Sequence, residues 1–239
     1  MTQNQVRTVL ITGASRGLGL ATARALAERG WQLIIDARGK EGLSAAEAEL
    51  AKLTRVTAVS GTITDANHRR ALAQAALDFG GLDAVINNAG VLGPSPQPAL
   101  LDYPLASLLE VFRVNVVAQL GVIQAVAPAL KPGARLINIT SDAGVEAYPG
   151  WGGYGASKAA FEQVSAILAA ENPQWRVYWV DPGDMRTQMH QAAYPGEDIS
   201  DRPLPEASVP GLLALLEGDW PNGRYQTQQL SQTAVPEMA

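Results

Sequence analysis

The stretch Val9-Leu10-Ile11-Thr12-Gly13-Ala14-Ser15-Arg16-Gly17-Leu18-Gly19 decides how this chain is built. Three apolar residues in a row read as a strand buried on both faces, and an Ala-rich helical segment follows, ending near Arg29. Between them lies a glycine-rich turn. Glycines let a backbone approach a pyrophosphate closely, and the first turn of the next helix offers unpaired N–H groups and a positive dipole end. Such a cluster is often only a tight turn, and the spacing Gly13, Gly17, Gly19 is not the common dinucleotide fingerprint.

Apolar runs at about 7–12, 31–37, 55–60, 82–87, 134–140, 175–181 and 223–229 alternate with helix-like segments. The alternation predicts an α/β fold: one doubly wound parallel sheet of about seven strands with helices on both faces. One domain over 1–239 is expected, because the densest Pro/Gly stretches, 92–98 and 182–205, interrupt it without separating composition. Both should open at the carboxyl ends of the strands, where ligands bind in such sheets. Residues 188–205 read as a substrate lid and 231–239 as a loose tail.

A second constellation lies further along. Tyr154 and Lys158, in GYGASKAAF, stand one helical turn apart on one face, and Ser141 lies thirteen positions before Tyr154. An ammonium there would favour phenolate and bring a group that titrates near pH ~10 closer to neutrality. In isolation this spacing describes an ordinary surface pair. It carries weight because other elements fall in order around it.

TGASRGLG at 12–19, NNAG at 87–90, Asn115 in FRVNVVAQ, Ser141 in INITSDAG, YGASK at 154–158 and DPGDMRT at 181–187 resemble the single-domain short-chain dehydrogenase/reductase family over roughly 7–228. The resemblance implies hydride transfer between a nicotinamide cofactor and a carbonyl or alcohol. By it, Ser141 would bond the carbonyl, Tyr154 would exchange the proton, and Lys158 would lower the Tyr pKa and hold the ribose. Asn115 would anchor a water. The implied cofactor residues are Gly13, Ser15, Arg16, Gly17, Leu18, Gly19, Arg38, Thr62, Ile63, Asn88, Ala89, Gly90, Tyr154, Lys158, Pro182, Gly183, Met185 and Thr187. Ordinary alternatives exist for several: Ser141 and Thr187 as caps, Asn115 bonding its own helix, Asn88 in a turn.

Two departures stand out. Thr62 occupies the place of an Asp that accepts from the adenine amino group, and Tyr178-Trp179 with Asp181 replaces smaller residues on the sixth strand. Cofactor preference turns on the second strand's end, Ile35-Asp36-Ala37-Arg38. An acid one place later than Asp36 would bind the ribose of NAD, whereas Arg16 and Arg38 stand where basic residues hold the 2′-phosphate of NADP. NADP is therefore expected, with NAD as the alternative. A pairing of Arg38 with Asp36 would weaken that reading.

Composition excludes other classes. The net charge is −5, without a Lys/Arg-rich run, so neither nucleic acid nor an anionic membrane is an expected partner. No apolar stretch reads as a membrane span or signal core, so a cytoplasmic protein is expected. Zero Cys and two scattered His argue against a metal centre. The site loops carry Leu92, Val145, Tyr148, Trp151, Met185, Met189 and Tyr194, which predicts a neutral, largely apolar small-molecule carbonyl or alcohol substrate. Segments 104–127 and 155–170 are apolar beyond what one buried face needs, which predicts a homodimer or homotetramer. The competing readings are a non-catalytic dinucleotide-binding regulator, which needs no proton donor, and a sugar-nucleotide epimerase, which needs a longer C-terminal segment.

Overall fold

The structure is a computed structural model and describes residues 6–232. Seven parallel strands form one sheet in the order β3-β2-β1-β4-β5-β6-β7. They are β1 (Thr8–Ile11), β2 (Gln32–Ala37), β3 (Val56–Ser60), β4 (Leu82–Asn87), β5 (Leu130–Ile139), β6 (Arg176–Asp181) and β7 (Gly223–Gln226). The helices are α1 (Gly17–Glu28), α2 (Lys40–Leu50), α3 (Ala66–Asp78), α4 (Leu105–Phe112), α5 (Gln119–Val126), α6 (Gly152–Glu171), α7 (Gln188–Ala193), α8 (Val209–Glu217) and α9 (Thr227–Gln232).

Strand residues alternate between two cores. Val9, Ile11, Leu33, Ile35 and Val180 face α1, α2 and α8, whereas Leu10, Ile34, Val85, Leu136 and Val177 face α3, α5 and α6. Burial at every position of β1, with the apolar run Val9–Ile11, is thus explained by helices on both faces. The strand order reverses between β1 and β4, so the crevice at their carboxyl ends is where the glycine turn and the NNAG segment meet.

Three expectations are corrected. The last strand stops at Gln226, because Thr227 begins α9; that helix also takes in 231 and 232, while 233–239 of the expected tail lie outside the described residues. The fifth strand starts earlier, at Leu130. Finally, the helix Leu105–Ala129 is long and apolar enough, by length and composition, to cross a membrane. Its residues Ala118, Val122, Ile123 and Val126 belong to the second core, which accounts for its apolar character without a bilayer.

Candidate active site

Helix α6 buries the stripe Tyr154, Lys158, Phe161, Ser165 and Ala169 against the sheet, so the phenol and the ammonium belong to a packed face. Ser141 follows β5 and caps the short turn Asp142–Gly144, its Oγ accepting from Ala143 N at 3.2 Å. The same hydroxyl donates to Asp142 Oδ1 at 2.8 Å and lies close enough to the Tyr154 phenol to act on its pKa. Lys158 Nζ lies 5.3 Å from the Tyr154 ring centroid and donates to Ile139 O at 2.9 Å. The structure therefore brings Ser141, Tyr154 and Lys158 together.

Asn115 sits in a π-helical turn, Arg113–Ala118, between α4 and α5. Such turns widen a helix by one residue and often mark functional positions. Its Nδ2 donates to Val91 O at 2.8 Å and Ser157 Oγ at 3.0 Å, and its Oδ1 accepts from Val91 N at 2.9 Å. The carboxamide thus fastens the loop after β4 to α6. A Cβ on Gly90 would stand 3.4 Å from Asn115 Oδ1 and 3.9 Å from Lys158 Nζ, ordinary contact distances that place Gly90 beside both groups.

The electrostatics differ from the expectation that Lys158 lowers the phenol's pKa. Burial pushes Tyr154 upward, Asp142 and Asp181 add to the rise, and only the neighbouring Ser141 hydroxyl opposes it. Burial likewise pushes Lys158 down to about 8, against the pull of Glu162. Desolvation outweighs mutual attraction because both side chains are sealed in the same packed stripe and the ammonium is turned onto a backbone carbonyl. A phenol so held keeps its proton and is suited to donating it.

Sequence reading missed the support beneath this group. Glu162 Oε1 accepts from Thr140 Oγ1 at 2.7 Å and Arg224 Nε at 3.1 Å, and Arg224 Nη2 donates to Ser141 O at 3.2 Å. Only the spacing of Glu162 four residues after Lys158 hinted at it. Asp142 was visible only as the neighbour of Ser141.

On the cofactor side the glycine turn is built by close approach. Gly13 has φ +68°, and a Cβ on Gly19 would fall 2.5 Å from Gly13 O and 2.6 Å from Asn88 Nδ2. Asn88 Nδ2 donates to Thr12 O at 2.9 Å and Gly13 O at 3.1 Å, while the Asn88 and Ala89 amides both donate to Thr12 Oγ1 at 3.0 Å. The NNAG segment therefore braces the turn. Ser15 lies at its edge, where a Cβ on Gly42 would come within 3.7 Å of it, and Thr187 Cγ2 would meet a Cβ on Gly17 at 3.7 Å. Arg16 Nη1 bonds Gln188 Oε1 across the same gap.

Asp36 and Arg38 do not pair. Asp36 points into the α3 side of the sheet, where Oδ1 accepts from Gly13 N at 2.8 Å and Oδ2 meets His68 Nε2 at 2.8 Å. Arg38 is exposed and has no hydrogen bond or ion pair among the described residues. Thr62 bonds the Thr64 hydroxyl at 2.9 Å. Leu18 and Ile63 are buried in the cores, and the half-buried Met185 packs against one of them. Pro182 O accepts from Ser208 Oγ at 2.7 Å, Gly183 N donates to Asp181 Oδ1 at 2.9 Å, and Thr187 caps α7 by accepting from His190 N at 3.2 Å.

On the substrate side, Leu92, Ala143 and Tyr154 form a small apolar cluster against which Trp151, Ala192 and Ala193 pack. Val145, Tyr148 and Met189 are exposed, and Met185 faces the core, so the wall is narrower than the sequence suggested. Glu197, Asp198 and Asp201 lie on the solvated face of 188–205.

Residues 7–198 match the model of the short chain dehydrogenase family. The chain belongs to that family. It is an oxidoreductase, in keeping with relatives named dehydrogenase or reductase. It is 37% identical over 175 residues to 1-deoxy-11-beta-hydroxypentalenate dehydrogenase of Streptomyces arenae, covering 71% of this chain but only 62% of that protein. It is 34% identical over 212 residues to sulfoacetaldehyde reductase 2 of Chromohalobacter salexigens, covering 84% of this chain and 82% of that one. A solved short chain dehydrogenase from Escherichia coli CFT073, complexed with NADPH, superposes with a TM-score of 0.83 at 30% identity over 93% of this chain and 96% of that one.

Proposed function

We propose that the protein reduces a neutral, largely apolar aldehyde or ketone with NADPH, or oxidises the corresponding alcohol with NADP. The observation that carries this is the gathering of Ser141, Tyr154 and Lys158 beside one another, next to a glycine turn opening onto the same crevice. The bound nicotinamide would supply the hydride to the carbonyl carbon. Ser141 holds the carbonyl oxygen, Tyr154 gives that oxygen its proton, and the buried Lys158 holds positive charge beside the phenol. A regulator that only binds dinucleotide has no use for a buried proton donor.

Preference for NADP is supported by Arg38, exposed and unpaired among the described residues, where a guanidinium can clamp a 2′-phosphate. Asp36 is buried beneath the glycine turn with both oxygens bonded, to Gly13 N and His68 Nε2, which supports the same reading. The neighbour solved with NADPH agrees. Acids favour a neutral substrate: Asp142 bonds Ser141 and Tyr148, and Glu146 and Asp184 act on the same phenol of Tyr148. Residues 188–205 would close over the substrate, tied at Ser95 Oγ to Ala192 O at 2.6 Å.

Assembly follows from a different surface. Leu101, Leu105, Leu109 and Val117 are exposed along the α4–α5 side and Ile167 on α6, a patch suited to a second copy of the chain. The decisive assay of function is loss of NADPH absorbance with a panel of aldehydes, ketones and keto acids. Reduction of apolar ketones above keto acids supports the reading; no consumption with any carbonyl overturns it.

A further inference from the structure

Ser141 stands just past the ordered end of the sheet. The register of β5 with β6 ends at Ile139 and Val180, and one further bond runs from Thr140 N to Val180 O at 2.8 Å. The Ser141 hydroxyl is bonded to Asp142 Oδ1 and Ala143 N within its own turn, and its carbonyl accepts from Gly144 N at 3.0 Å in the same turn. These bonds orient the residue inside the turn and leave its placement against α6 to contacts from outside. Arg224 supplies a polar one, its Nη2 donating to the same carbonyl at 3.2 Å.

This arginine comes from the last strand. On β7, Tyr225 packs against the first core, so its neighbour Arg224 faces the other side of the sheet, beside Trp179, its partner in register. There it donates through Nε to Glu162 Oε1 at 3.1 Å, and its Nη2 lies 3.7 Å from Asp181 Oδ2. Glu162 Oε1 also accepts from Thr140 Oγ1 at 2.7 Å, and a Cβ on Gly144 would stand 3.1 Å from that oxygen, so the carboxylate lies against the Ser141 turn. One guanidinium therefore ties together the Ser141 backbone, α6 one turn beyond Lys158, and the end of β6. A lysine ammonium is a single point charge and lacks the rigid fork that spans a carboxylate and a carbonyl at once.

We propose that Arg224 is a positioning residue for the reduction: by holding the Ser141 carbonyl and the Glu162 carboxylate together, it sets where the Ser141 hydroxyl meets the substrate oxygen. This rests on the reductase reading above and adds to it a residue that acts through Ser141. The reaction itself is unchanged: hydride to the carbonyl carbon, proton from Tyr154 to the oxygen. Loss of Arg224 is therefore felt in turnover rather than in cofactor affinity, since misplacing a reacting group by about 1 Å costs up to about 10² in rate.

The test compares wild type, Arg224→Ala and Arg224→Lys on whichever ketone of the panel wild type reduces fastest. NADPH oxidation gives kcat and KM, and circular dichroism checks folding. Arg224→Ala should lose about tenfold or more in kcat, with KM for NADPH within about twofold of wild type. Millimolar guanidinium chloride should restore part of that kcat, because the Arg224 side chain is 24% exposed and a small planar cation can reach the vacated place; sodium chloride at equal ionic strength should not. Arg224→Lys, which keeps the charge without the fork, should fall between wild type and the alanine variant. An unchanged kcat in Arg224→Ala, or a loss that guanidinium does not recover, marks a merely structural role and overturns the proposal while leaving the reductase reading intact. A raised KM for NADPH at unchanged kcat assigns the arginine to the loop after Asp181 and overturns it equally. Should Arg224→Ala fail to fold, Arg224→Lys decides alone: a kcat equal to wild type overturns the proposal, and a severalfold loss at unchanged KM supports it. If wild type reduces none of the carbonyls, the reductase reading itself fails and takes this inference with it.

Discussion

Replacing Asp36 with Ala separates a brace from a ribose ligand. Asp36 is 2% exposed and takes two hydrogen bonds of 2.8 Å, from the Gly13 amide and with His68 Nε2. Alanine strands both partners in a packed interior, at about 1–3 kcal/mol for each, or roughly 2–6 kcal/mol in total. For a domain of this size each kcal/mol lowers Tm by about 2–4 °C, so a fall of roughly 5–20 °C is expected by circular dichroism. The glycine turn loses an anchor as well, so NADPH and NADH should both bind more weakly while the ratio of their kcat/KM values stays fixed. His68→Ala should show part of the same loss, and the double variant should lose less than the sum, because the two side chains share one bond. Were Asp36 a ribose ligand, its removal would leave Tm within about 1 °C of wild type and shift preference towards NADPH. That pair of results would refute the placement of this carboxylate.

Arg38→Asp should exchange NADPH preference for NADH in kcat/KM, since a carboxylate repels a phosphate and accepts from a ribose hydroxyl; an unchanged ratio would remove Arg38 from the pocket. Lys158 titrates at about 8 in the folded protein, so ketone reduction should fall as pH rises through that value and the ammonium is lost. Stability should move the other way: with its folded pKa below the 10.5 of an ordinary lysine, Lys158 opposes folding below pH 8, and the penalty is relieved between 8 and 10.5. Gly19→Ala drives a Cβ to 2.5 Å from Gly13 O, and the forced shift should cost about 1–3 kcal/mol, read as weaker NADPH binding and a lower Tm. Leu109→Glu, at a position 72% exposed, should shift the mass from oligomer to monomer in light scattering; a wild-type monomer would contradict that interface.

The alternation of strands and helices was legible because burial on both faces makes each strand a continuous apolar run. Where that signal ends the reading erred: Thr227 begins a helix that local composition does not announce, and β5 begins in Leu130-Lys131-Pro132-Gly133, which reads as a turn. Ser141, Tyr154 and Lys158 were legible from spacing and order. Their protonation was not, since it depends on how deeply α6 buries them. Partnerships across distant segments, such as Asp36 with His68 or Arg224 with Glu162, leave no local pattern.

The central claim is that Tyr154 delivers the proton to a carbonyl oxygen while hydride reaches the carbon. Single-turnover reduction of the best ketone with deuterated NADPH, in wild type and Tyr154→Phe, tests it most directly. Wild type should transfer one deuterium to the carbonyl carbon, and the variant should bind NADPH with nearly unchanged affinity while its transfer rate falls on the order of 10² or more. Transfer at a comparable rate without the phenol would contradict the account.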